Sequence, residues 1–227
     1  MRAVLILSGG LDSTTLLYRL RANGFTVQCL SFLYGQRHAK ELECAKRICT
    51  DLGVEHRVVD LSAIQPLLAG SALSDSSVEV PEGHYAEESM KATVVPNRNM
   101  IMLSIAMAWA VSSKAEYVAY AAHGGDHAIY PDCRPAFVNV MAIAGTLCDW
   151  HPVSLVVPYL HNSKADIVKD GLELGVPYQH TWTCYKGQEY PCGVCGSCTE
   201  RLEAFAANGV PDPLQQDADC ERPSLQS

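Results

Sequence analysis

Ser8-Gly9-Gly10-Leu11-Asp12-Ser13, entered from the apolar run Ala3-Val4-Leu5-Ile6-Leu7, decides how the rest of the chain is read. An unbroken apolar run followed by a glycine-rich turn indicates a buried parallel strand running into an anion-binding loop. Asp12 and Ser13 suit the N-terminus of a helix, which Thr14 to Leu20 supplies. Backbone N–H groups left free at a helix start, with glycines permitting close approach, form a site for phosphate. No Gly-Lys-Ser/Thr closes the loop, so it is not a Walker A motif. The Gly-x-Gly-x-x-Gly spacing of a dinucleotide site is absent as well.

Outward from this loop, strands and helices alternate. Asn23-Gly24 caps the first helix, Phe25 to Phe32 reads as a strand, and a helix over Ala39 to Leu52 stops at Gly53. A third strand lies within His56 to Leu61. Val94-Val95-Pro96-Asn97-Arg98-Asn99 opens an apolar helix ending near Ser113. Tyr117 to Ala122 and Val153 to Val157 read as strands, with a helix over Ala136 to Cys148 between them. Ser163-Lys164-Ala165-Asp166 caps a further helix ending near Gly175, and a short one covers Thr199 to Ala207. Five strands in this alternation predict an α/β fold, an open parallel sheet with helices on both faces. Ala69 to Pro96, rich in Ser, Glu, Pro and Gly, is longer than an ordinary connection and marks a functional or mobile segment.

The 227 residues carry a net charge of −8, which argues against a general nucleic-acid binder. Phosphate must then be held by loop amides and a few placed cations. The first strand begins at Ala3 and leaves no room for a signal, and Met100 to Val111 is far short of the ~20 residues that span a bilayer. A cytoplasmic protein without a membrane segment is expected. Among ten cysteines, Cys184, Cys192, Cys195 and Cys198 form a C-x7-C-x2-C-x2-C pattern. Four thiolates close a tetrahedral shell around structural Zn²⁺, with an iron–sulfur cluster as the alternative.

Other polar groups gather beyond predicted strands. Arg37 and His38 follow the second strand and are candidates to meet a nucleotide. Arg98 stands where the long connection enters a helix and can counter a phosphate or carboxylate. Asp132 and Arg134 flank Cys133 beyond the fourth strand, an acceptor beside a forked donor. His123, Asp126 and His127 form a possible second metal set, or a base for an incoming amine, and Gly124-Gly125 would widen access there.

With these residues in hand, the chain resembles the 7-cyano-7-deazaguanine synthase family (QueC). The matching segments are Ser8 to Thr15, Tyr34-Gly35-Gln36-Arg37-His38, Val95-Pro96-Asn97-Arg98-Asn99 and Tyr130-Pro131-Asp132-Cys133-Arg134. Thr183-Cys184-Tyr185 and Cys192-Gly193-Val194-Cys195-Gly196-Ser197-Cys198 complete them, so the resemblance spans residues 1 to about 207. It implies an adenylating pyrophosphate-loop domain over residues 1–180, a four-cysteine zinc segment with its helix at 181–208, and a poorly ordered tail at 209–227. It further implies an ATP-dependent carbon–nitrogen ligase that activates the carboxylate of 7-carboxy-7-deazaguanine. Ammonia then gives the amide, and a second activation gives the nitrile. ATP with Mg²⁺ would be held by Ser8, Gly9, Gly10, Leu11, Asp12, Ser13 and Thr14, with Arg37 and His38. Catalysis and substrate binding would fall to Asp12, Ser13, Arg98, Asp126, Asp132 and Arg134. A homodimer is also implied.

Two departures are visible. Asn97 replaces a small residue, and His123 to Ile129 differs from the family's lead-in except at Asp126. The second departure leaves open a protein amine as acceptor, as in QueC-like enzymes of antiphage defence. A tRNA-thiolating relative would need an RNA-binding domain for which the chain has no room, so direct tRNA binding is not expected. A non-catalytic zinc module would leave the loop without a purpose.

Overall fold

A computed structural model describes residues 1–36, 40–75, 77–83 and 88–215. The strands are β1 (Arg2–Ile6), β2 (Thr26–Leu33), β3 (Glu55–Asp60), β4 (Tyr117–Ala119) and β5 (Ser154–Val156). They form one five-stranded sheet in the order β3-β2-β1-β4-β5, with every neighbouring pair parallel. The helices are α1 (Leu11–Ala22), α2 (Lys40–Leu52), α3 (Arg98–Ser113), α4 (Pro135–Leu147), α5 (Lys164–Glu173) and α6 (Gly196–Ala207).

Alternation along the strands builds two cores. Val4, Leu30, Phe32 and Val118 face α3 and α4, packing with Leu103, Met107 and Met141. Leu5, Val27, Cys29 and Ala119 face the other side, with Leu16 of α1, Ile48 of α2, Ile167 of α5 and Phe205 of α6. The chain runs from β1 out to β3 and returns to lay β4 on the other flank of β1. The order thus reverses between β1 and β4, and the crevice beyond their carboxyl ends is where such sheets bind ligands.

Local chemistry sets the helix ends. Ser163 Oγ accepts from the Asp166 N–H at 3.2 Å while Asp166 accepts from the Ser163 N–H at 2.8 Å, a reciprocal cap on α5. Pro135 opens α4, where no amide hydrogen is needed. Among the sequence boundaries that shift, two lie beside the cavity and the cysteine pattern. The fourth strand stops at Ala119, three residues short, because Tyr120 to Ala122 run on as cavity wall. The final helix starts at Gly196, inside the cysteine pattern.

The connection before α3 contains short 3₁₀ turns at Ser62–Leu68 and Glu88–Thr93. Its Ala72 and Val80 pack in a third core with Trp182, Cys184, Cys195 and Cys198. The Gly83 N–H reaches the Val194 carbonyl at 3.2 Å, so this stretch covers the cysteine segment. The same segment is clamped from behind by buried Arg201. Its guanidinium forks onto Asp212 at 2.7 and 2.8 Å and also donates to Thr181, Thr183 and the Tyr178 carbonyl. No helix among the described residues is long and apolar enough to cross a membrane. The residues of the predicted tail beyond 215, with Arg37 and His38, lie outside the described set.

Candidate active site

A cavity of about 240 Å³ opens at the carboxyl ends of β1, β2 and β4. Ser8 to Ser13 supply one wall, with all but Gly9 on the lining. Gly9 has φ +87°, in the left-handed region, and a side chain there would collide with the Glu41 carbonyl of α2. Gly10, extended at φ −80° and ψ 173°, is the N-cap of α1. Ser8 Oγ accepts from the Gly10 N–H at 3.1 Å, and Ser13 Oγ accepts from the Ser8 N–H at 3.1 Å. Thr14 lies buried one turn behind the loop rather than on the wall. The cysteine segment closes over the loop, with the Trp182 N–H donating to the Gly9 carbonyl at 3.0 Å.

Asp12 leads into a charged cluster that sequence reading did not assemble. Lys164, at the start of α5, donates to Asp12 Oδ2 at 2.7 Å and lies 3.3 Å from Glu200 Oε2 on α6. Burial alone would raise the Asp12 carboxyl, but Lys164 and His123 hold it below its ordinary value. Glu200 is pushed upward by burial, against the pull of Lys164. Asp12 Oδ1 is buried and makes no hydrogen bond within the protein.

Arg98, the first residue of α3, also lines the cavity. It donates to the Tyr34 hydroxyl at 3.4 Å, and no carboxylate lies within 4.0 Å of it among the described residues. A half-buried cation without a contact ion pair among the described residues, on a cavity wall, fits an anionic group of a ligand. Asp132 is not on the wall. Its Oδ2 accepts from the Asn99 N–H at 3.1 Å and fixes the start of α3, hence Arg98. Arg134 is not brought in either: it is exposed and donates to the His127 carbonyl at 2.8 Å. Asp126 and Cys133 do line the cavity, as does Glu41, whose carboxyl burial pushes up to about 7 against the opposing charge of Arg98.

The His123 segment is built differently from its sequence reading. His123 is 1% exposed, and its Nδ1 accepts from the Gly125 N–H at 3.1 Å while Asp126 accepts from the His123 N–H at 3.4 Å. The ring caps a 3₁₀ turn and is not available to an incoming amine. Gly124 and Gly125 do not open space. A side chain at Gly124 would press on the Asn162 carbonyl at 3.0 Å, and one at Gly125 on Glu200 Oε1 at 2.8 Å. The second metal set also fails to form, since among the described residues only the four cysteines make such a cluster.

Those cysteines fit a metal. All four sulfur atoms lie within 4.8 Å of one another, near the separation that a tetrahedral shell with ~2.3 Å metal–sulfur bonds needs. Backbone N–H groups of Cys192 and Cys195 point to Cys184 Sγ and Cys192 Sγ at 3.4 and 3.3 Å, donors that stabilise thiolates. Gly193, at φ +75°, makes the tight turn between ligands.

Sheet order, loop and crevice together define an open parallel α/β protein with a glycine-rich loop and a cavity at its topological switch point. A solved 4-thiouridine synthetase–RNA complex with bound ATP shares the fold at TM-score 0.52 and 18% identity, over 98% of this chain and 54% of that one. The family described as Queuosine biosynthesis protein QueC matches residues 2–209, and the chain belongs to it. A 7-cyano-7-deazaguanine synthase of Hahella chejuensis is 58% identical over 96% of this chain and 94% of that protein. One from Methanoregula boonei is 57% identical over 95% and 99%.

Proposed function

We propose that the chain converts 7-carboxy-7-deazaguanine, ATP and ammonia into 7-cyano-7-deazaguanine. The observation that carries this is 58% identity, at nearly full length, to a synthase of that name, joined to an intact loop and cavity. The two relatives named above are 7-cyano-7-deazaguanine synthases, and neither name points to transfer to a protein amine.

Turning a carboxylate into a nitrile removes both oxygens, and each leaves only on a good leaving group. Attack of a carboxylate oxygen on the α-phosphorus of ATP expels pyrophosphate and forms the acyl adenylate. Ammonia displaces AMP and loses a proton to give the amide. The amide oxygen then attacks a second ATP, again expelling pyrophosphate, and loss of AMP with the remaining N–H protons leaves the nitrile.

The Ser8 and Ser13 hydroxyls on the cavity wall, with the start of α1, are suited to the departing pyrophosphate. Lys164 adds a cation to that end, and Arg98 suits the substrate carboxylate. Asp132 supports Arg98 through the helix start. Asp12 Oδ1, with no protein partner, fits Mg²⁺ directly or through water. When bound, that ion would neutralise phosphate charge. For the cysteine site we favour Zn²⁺, which four thiolates close without an open position. Reduced thiolates suit the cytoplasm.

A homodimer is supported by α4. Its Val140, Ile143 and Leu147 are 62%, 61% and 77% exposed along one stripe of a helix that carries no charge. Acid-dependent ATP/pyrophosphate exchange tests the first half-reaction, and no exchange with the acid present would reject the reading.

A further inference from the structure

We propose that Glu200 is the positioning residue that holds Lys164 at the phosphate end of the cavity. The helix leaving the four-cysteine segment then serves as a working wall of the site. This rests on the adenylation reading above.

Lys164 is an odd choice for its place. It is the first residue of α5, where the positive end of the helix dipole disfavours a cation. The nearby carboxylates of Asp12 and Glu200 offset that cost. Engagement of Asp12 with a magnesium nucleotide would leave Glu200 as the lysine's remaining ion-pair partner among the described residues.

Glu200 has little freedom to do otherwise. Cys195 is the N-cap of α6 and Cys198 lies in its first turn, so the cysteine cluster sets where the helix begins. Arg201, the next residue, is locked onto Asp212, Thr181 and Thr183. Opposite, Gly125 approaches so closely that a β-carbon there would lie 2.8 Å from Glu200 Oε1. Three chain segments thus confine one carboxylate and aim it at one ammonium group.

The bland alternative is a pair that merely stitches α5 to α6. A double-mutant cycle separates the two. Acid-dependent ATP/pyrophosphate exchange is measured for E200Q, K164A and the double variant, alongside Tm and metal content. E200Q is expected to slow kcat by about tenfold, as loss of a supporting partner commonly does, with KM for the acid unchanged. The double variant should be no slower than K164A. E200D, which keeps the charge, should recover most of the rate even if E200Q lowers the Tm. Wild-type exchange in E200Q, or a loss that persists undiminished beside K164A, overturns the proposal. Labelling of the Lys164 amine by acetic anhydride, read by peptide mass spectrometry, is independent of the reaction. Faster labelling in E200Q at equal Tm supports the assignment, and equal labelling overturns it. Absence of exchange in the wild type would count against the adenylation reading alone.

Discussion

Lys164 Nζ lies 2.7 Å from Asp12 Oδ2, joining residues 152 positions apart in the chain. Two helix starts meet at that contact, α1 from the loop after β1 and α5 from the turn after β5. Asp12 is favoured at such a position by the helix dipole and Lys164 is not, so the pair is an arrangement of tertiary structure. It puts a cation and a buried carboxylate oxygen beside the Ser8–Ser13 loop, in a cavity that Arg98 also lines.

Gly9→Ala should inactivate the protein and destabilise it by about 2 kcal/mol or more, from left-handed backbone plus a collision with the Glu41 carbonyl. Denaturant unfolding and pyrophosphate exchange check this. A variant with wild-type stability and exchange would show that the loop does not depend on this conformation.

Much of the architecture was legible, and for local reasons. The apolar run, the two glycines and Asp12 announce strand, loop and helix within a dozen residues. Ser163 and Asp166 announce a cap, and left-handed Gly24, Gly53 and Gly175 end the helices where expected. The four cysteines also read correctly as a cluster. Lys164, Glu200 and Glu41 were not legible, because a single charged residue on an ordinary helix carries no pattern until packing gathers it with others. His123 was misread for the converse reason: its polar ring signals chemistry locally, yet packing spends it on a cap.

The metal site is expected to hold one zinc per chain. Because metal binding contributes to folding, Cys195→Ser should abolish stoichiometric zinc and lower Tm by at least about 5 °C. Elemental analysis and calorimetry check both. Iron with acid-labile sulfide in the wild type would replace zinc with a cluster.

Glu41 gives a pH prediction with a definite sign. Its carboxyl is pushed from 4.5 to about 7, so the folded state binds a proton that the unfolded state has lost between those values. The stability present below pH 4.5 is therefore lost as pH rises through about 7. Glu41→Gln removes this slope, and Tm measured from pH 5 to about pH 8 should fall less in the variant than in the wild type. Parallel curves would contradict the shift.

If α4 meets a second copy, Ile143→Glu should convert the particle from twice the 24.7 kDa chain mass to a monomer. Sedimentation velocity distinguishes them. A wild type that sediments as a monomer would leave the exposed stripe of α4 without this role.

The account stands on α-phosphate chemistry directed at one carboxylate. Its most direct test is mass analysis of nucleotide and deazaguanine products after incubation with ATP, Mg²⁺, ammonium and 7-carboxy-7-deazaguanine. The expected result is 7-cyano-7-deazaguanine with AMP and pyrophosphate formed at two per nitrile, one for each carboxylate oxygen removed. ADP and phosphate as the nucleotide products, or an unchanged acid, would contradict it.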